Sequence, residues 1–138
     1  MSRYAPIPVS QLAELASRLW LLTAAFAVEV GVVVPIRDGA YAEPLVVATG
    51  SQVSVTVDPQ TIFRPALRLR ASGLVIAHSH LDADPVSDHD RAGTGRLLAA
   101  GVLLGVPLQA HLVLRADGWT DCCNSRDGWT PYASGSAA

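Results

Sequence analysis

The chain has no lysine, two cysteines, one methionine and few charged residues, 16% of its 138. Each shortage excludes something. Ten arginines against twelve acidic residues leave a net charge of -2, so no global attraction draws the chain to nucleic acid or an anionic membrane. Arg64, Arg68 and Arg70 lie near one another, but three arginines without interleaved aromatics read as a solvated face. Cys122 and Cys123 are adjacent and cannot build a disulfide framework. Neighbouring free thiols fit a reducing compartment, so a cytoplasmic location is expected. No apolar run reaches the roughly twenty residues of a membrane-spanning helix, because Glu29 interrupts the stretch from Ala25 to Val34. Ala25-Phe26-Ala27 has the small-x-small form of a signal cleavage site, yet Glu14 and Arg18 stand just before the apolar part, which argues against a leader.

What is present is half hydrophobic, enough for one domain with its own core. That domain is expected over residues 9–130, with flexible ends at 1–8 and 131–138. Leu12, Leu15, Ala16, Leu19 and Leu22 recur at helical spacing from Val9 to about Ala24, with Ser10 as N-cap. A β-branched strand is expected from about Phe26 to Val34. A turn follows at Arg37-Asp38-Gly39, then strands Leu45–Thr49 and Gln52–Val57. Asp58-Pro59 opens a helix carrying Ile62, Phe63, Ala66, Leu67 and Leu69, with Pro65 predicting a kink. Asp88 to Leu104 is helical, with Leu97, Leu98, Val102, Leu103 and Leu104 as its core face and Gly105 as its stop. His111–Arg115 is a strand, and Asp117-Gly118 and Asp127-Gly128 are turn signals of a closing hairpin. Strands interleaved with helices imply an α/β fold, a single layered domain with a mixed sheet and helices packed on it.

One stretch carries chemistry. Leu74 to Ala77 is an apolar strand bounded by Gly73, and it ends in His78-Ser79-His80. Alternate strand residues share a face, so both imidazoles point the same way. Ser87, Asp88, His89 and Asp90 follow before the long helix. Two histidines and a carboxylate are the donor types of an open zinc site. Ser87 and Asp90 also resemble a capping box, a purely structural role. His111 reads either as a hydrogen-bonded core histidine or as part of a site.

These residues resemble the metal motif of the JAB/MPN (JAMM) metallopeptidase superfamily: an upstream glutamate, His-x-His, then Ser-x-x-Asp. The RadC-like bacterial branch is the nearest match, through Glu29, Val30–Val34, Gly50, Asp58-Pro59, Ile62-Phe63-Arg64, Ala66-Leu67, Val75–His80, Leu97–Pro107 and His111. The resemblance implies a JAB/MPN-like, cytidine-deaminase-like fold. It implies Zn2+ held by His78, His80 and Asp90, Glu29 as general base, and Ser87 as donor to an oxyanion. The implied activity is hydrolysis of an amide bond in a peptide or protein conjugate. A catalytically silent domain with an accessory role, DNA-repair-associated or in protein interaction, is the alternative. The nine residues from Leu81 to His89 are one fewer than the family usually has, which leaves Asp88 as a second choice of ligand. Leu81-Asp82-Ala83, Ser79 and Ala110 also depart from the branch's usual residues.

Overall fold

A computed structural model describes residues 6–50, 58–81 and 86–128. The elements in chain order are α1 (Val9–Ala24), β1 (Val30–Arg37), β2 (Ala40–Tyr41), β3 (Leu45–Thr49), α2 (Pro59–Arg68), β4 (Gly73–Ser79), α3 (Asp88–Leu104), β5 (Leu108–Arg115), β6 (Gly118–Asp121) and β7 (Arg126–Gly128). The fold is α/β. The sheet runs β2-β1-β4-β5-β6-β7, with β3 also paired to β1. Among the described residues the one parallel pair is β4–β5, joined through α3; the other pairs are antiparallel.

Two apolar clusters cover the two faces. Leu12, Leu15, Ala16 and Leu19 of α1 pack on Val32, Val34, Val75, Ala77, Leu112 and Leu114. On the other face Ile62, Phe63 and Ala66 of α2 and Leu97 of α3 pack on Val33, Leu74, Ile76 and Leu108. Strand alternation therefore divides the core, and it puts His78, next in the series Leu74, Ile76, on the α2/α3 side.

Several expectations need correction. The first strand begins at Val30, not Phe26, and runs on to Arg37, because its ladder with β4 spans Gly31↔His78 to Ile36↔Gly73. Pro35 is tolerated there. Its carbonyl accepts from Ala42, so its missing donor falls between the pairings of β3 and β2. The two-residue turn Asp38-Gly39 has both residues at positive φ, 53° and 76°, the hairpin geometry that Asp-Gly favours. Helix α1 is preceded by Pro8 with no side-chain cap, and Ser10 lies inside its first turn. Leu22 is exposed and Thr23 is buried in its place. Ile7, in the expected flexible lead, is buried, and its carbonyl accepts from Arg126 Nη1 at 2.6 Å.

Helix α2 starts as expected, with the Asp58 carboxylate accepting from Gln60 N, and it continues past Pro65 to Arg68. Leu67 and Leu69 are exposed. Helix α3 has the expected bounds but a different inner face. Thr94, Leu97 and Gly101, spaced i, i+3, i+7, are buried, whereas Leu98, Val102, Leu103 and Leu104 face outward, Leu103 at 87% exposure. A β-carbon at Gly101 would sit 2.7 Å from Val106 O, so this face is selected for closeness rather than for bulk. Asp127-Gly128 is not a turn but part of β7, where Gly128 leaves room for the buried Trp119 ring. The turn is Cys122–Ser125 instead. The expected strand Gln52–Val57 lies outside the described residues.

Candidate metal centre

The β4–α3–β5 unit brings the C-terminal end of a parallel strand against the N-terminus of a helix, the usual place for a ligand site in such sheets. His78 is in β4 and His80 just beyond it, anchored by its backbone N–H to Leu114 O at 2.8 Å. Ser79, between them, turns to the other face and is buried; its hydroxyl accepts from Val30 N at 3.0 Å. That bond ties the start of β1, and so Glu29 beside it, to the His-x-His end of β4.

From the helix side, Ser87 and Asp90 form the full capping box. Ser87 Oγ accepts from Asp90 N, and Asp90 Oδ2 accepts from Ser87 N, both at 3.0 Å. The same carboxylate faces the histidines: Oδ1 lies 3.2 Å from His78 Nε2 and Oδ2 lies 3.6 Å from His80 Nε2. The two Nε2 atoms are themselves 3.2 Å apart. His78, His80 and Asp90 thus each offer one ligand atom within 4.8 Å of the others. Asp88, the alternative to Asp90, is exposed in the first helical turn and stands outside this group. Burial pushes the Asp90 carboxyl up, but hydrogen bonds from His78 and the Ser87 backbone, with the His78 charge, outweigh it and hold the group well below the ordinary carboxylate range. Asp90 is therefore an anion across the physiological range.

Glu29 is half-buried and precedes β1, its carbonyl accepting from Gly50 N at 2.8 Å. Strand alternation from Val33 and Gly31 assigns it to the face of His78, and the β1–β4 register, continued two residues beyond Gly31↔His78, sets it opposite His80. It is not a member of the three-residue cluster.

The sequence leaves His111 between two roles and gives Thr94 none; the structure sets both behind His78. His111 of β5 is buried, with Nε2 3.0 Å from His78 Nδ1, and its Nδ1 meets the Thr94 hydroxyl. Thr94 also donates to Asp90 O at 2.9 Å. Burial, and then the charges of His78 and His80 against that of Asp90, lower the His111 pKa to about 3, so its ring is neutral. Thr94 could have been found from spacing: it is four residues after Asp90 and so on the same helix face. The pairing of His111 was foreseeable too, since an ionisable group in an apolar strand needs a partner. Asp121 is fully buried and holds His111 N at 3.1 Å, Cys123 N at 3.0 Å and Arg126 Nη2 at 3.1 Å. It fixes the height of His111 along β5. Cys122 and Cys123 are free thiols; burial pushes Cys122 up to about 11 and Cys123 higher still, so neither is a thiolate.

An apolar cleft adjoins the cluster, lined by Gly31, Val47, Pro59, Ile62, Gly93 and Arg96 next to His78 and Asp90. Among the described residues no helix is long and apolar enough to cross a membrane.

Comparison with known proteins matches the chain to a family. Residues 31–125 match the model of the RadC-like JAB domain. A UPF0758 protein of Thermotoga maritima is 41% identical over 64 residues, 46% of this chain and 29% of its own length. Another, of Symbiobacterium thermophilum, is 36% identical over 75 residues, 54% of this chain and 32% of the relative. A third, of a Picosynechococcus species, is 35% identical over 89 residues, 63% and 36% respectively. The matched segment thus spans about a third of these curated relatives, 29–36% of their length. The chain belongs to the RadC-like JAB domain family.

Proposed function

We propose that the chain is a zinc-dependent hydrolase of amide bonds, a metallopeptidase or isopeptidase acting on a peptide or protein conjugate. The observation that carries this reading is the convergence of His78 Nε2, His80 Nε2 and one Asp90 oxygen within 4.8 Å. The donor set fits zinc: two imidazoles, one carboxylate already ionised, and a second hydrogen bond behind His78 that orients its ring. When bound, zinc supplies Lewis acidity, lowering the pKa of water toward about 7 and polarising a carbonyl.

The chain's own residues do the rest. Glu29, on the His78 face, accepts the proton of the attacking water and returns it to the leaving amine. Ser87 Oγ uses a lone pair for Asp90 N, which leaves its O–H to donate to the oxyanion. Gly31, Val47, Pro59 and Ile62 give the cleft beside the cluster an apolar wall that excludes competing water.

Glu29→Gln tests the reading. The zinc-loaded protein is offered fluorogenic peptide and isopeptide amides, with bound metal measured alongside. The expected result is that zinc stays and hydrolysis stops. Unchanged hydrolysis in Glu29→Gln would remove Glu29 as base, and a zinc-loaded parent that cleaves no amide would remove the activity.

A further inference from the structure

We propose that Thr94 and His111 form a one-way hydrogen-bond relay that sets the tautomer of His78 and so presents its Nε2 lone pair to the metal. The metal part of this rests on the function proposed above. Proton counting gives the direction. The Thr94 hydroxyl has one proton, and it lies 2.9 Å from the Asp90 carbonyl, which can only accept. The Cys122 thiol, which also reaches Thr94, is a far weaker acceptor than a carbonyl. Were the proton given to His111 instead, two oxygens would face each other with no hydrogen between them. Thr94 therefore donates to Asp90 O, and its oxygen accepts from His111 Nδ1–H.

Buried with its two ring nitrogens against a hydroxyl and an imidazole, the His111 ring is neutral and carries one proton, so its Nε2 is bare and must accept. The only donor along that 3.0 Å line is His78 Nδ1–H. His78 is thereby left with its Nε2 for the metal, 3.2 Å from both Asp90 Oδ1 and His80 Nε2; in the zinc-free protein a proton on this nitrogen bonds the Asp90 carboxylate, and zinc takes that proton's place. The path closes on itself: it leaves Asp90 by the carbonyl and returns to Asp90 at the carboxylate. Asp121 sets the register of this ring by holding the His111 backbone. Thr94 and His111 are positioning residues; neither is a ligand in this scheme.

The test has a readout that needs no metal and no substrate. Long-range 1H–15N correlation of the zinc-free full chain reports which nitrogen of His111 is protonated. The relay predicts Nδ1–H, the form less favoured in free histidine. Thr94→Val removes the oxygen that accepts this proton. It should move His111 toward Nε2–H and weaken zinc binding about 10–100-fold, measured against a chromophoric chelator. Thr94→Ser should restore both. His111 found as Nε2–H in the unaltered protein would reverse the relay, and this holds even if Thr94→Val does not fold. A changed tautomer with unchanged zinc affinity would break the link to the metal. An unaltered protein with His111 as Nδ1–H that binds no zinc would sink the metal reading while upholding the tautomer assignment.

Discussion

Ser87→Gly should separate two jobs that one hydroxyl performs. As a cap, Ser87 Oγ receives Asp90 N at 3.0 Å, and loss of such a cap to alanine costs about 1 kcal/mol. Glycine at the same position costs only a few tenths of a kcal/mol, because its freer backbone lets water reach the exposed N–H groups. The other half of the box, Ser87 N to Asp90 Oδ2, uses only backbone of residue 87 and survives both changes. In a chain of this size 1 kcal/mol shifts the melting temperature by about 3–5 °C. As an oxyanion donor, however, the hydroxyl is lost equally in both variants, and removing one such donor costs about 10²–10³ in kcat. Ser87→Ala should therefore lose both stability and rate, whereas Ser87→Gly should melt close to the parent and hydrolyse at least about 100-fold more slowly. Calorimetry and amide hydrolysis on the same zinc-loaded samples check this. A Ser87→Gly protein that retains the parent rate would show that Ser87 is a cap and nothing more.

Three further perturbations probe the framework. His111 has a folded pKa below its ordinary 6.5, so its neutral burial favours folding above pH 6.5 and that stability is lost as pH falls toward 3; urea midpoints of the zinc-free parent should fall over this range, and those of His111→Gln should fall less. Gly128→Ala places a β-carbon 2.3 Å from Trp119 Cζ2, inside a buried ring that cannot retreat, and should destabilise the fold by about 1–3 kcal/mol in denaturant titration. Leu97→Ala should cost about 2–5 kcal/mol, while Leu103→Ser should stay within about 0.5 kcal/mol, because only Leu97 is buried.

Local signals were readable along the chain where the chemistry is local. The bounds of α3, its Ser87–Asp90 box and its Gly105 end are all set by backbone groups a few residues apart, and they follow from residue types. The Asp58-Pro59 start of α2 is of the same kind. The common face of His78 and His80 follows from strand alternation alone. What could not be read depends on contacts between distant elements. The burial of Thr94, Leu97 and Gly101 in place of Leu98, Val102 and Leu103 is decided by how closely α3 approaches the Val106–Leu108 backbone. Asp127-Gly128 joins a strand because Trp119, a strand away, fills the space beside Gly128. The pairing of His111 with His78 needs the parallel register of β4 and β5, which no turn residue announces. The start of β1 at Val30 is likewise set by its partner strand, since Phe26 to Val28 are as β-prone but have no ladder.

The most direct test of the account is a zinc titration of the chelator-stripped chain against a competing chromophoric chelator, with His80→Ala and Asp90→Asn beside it. Convergence of three ligand atoms predicts one zinc per chain, with binding lost or strongly weakened in each variant. A chain that binds no zinc, or one whose affinity is unmoved by either substitution, would contradict it.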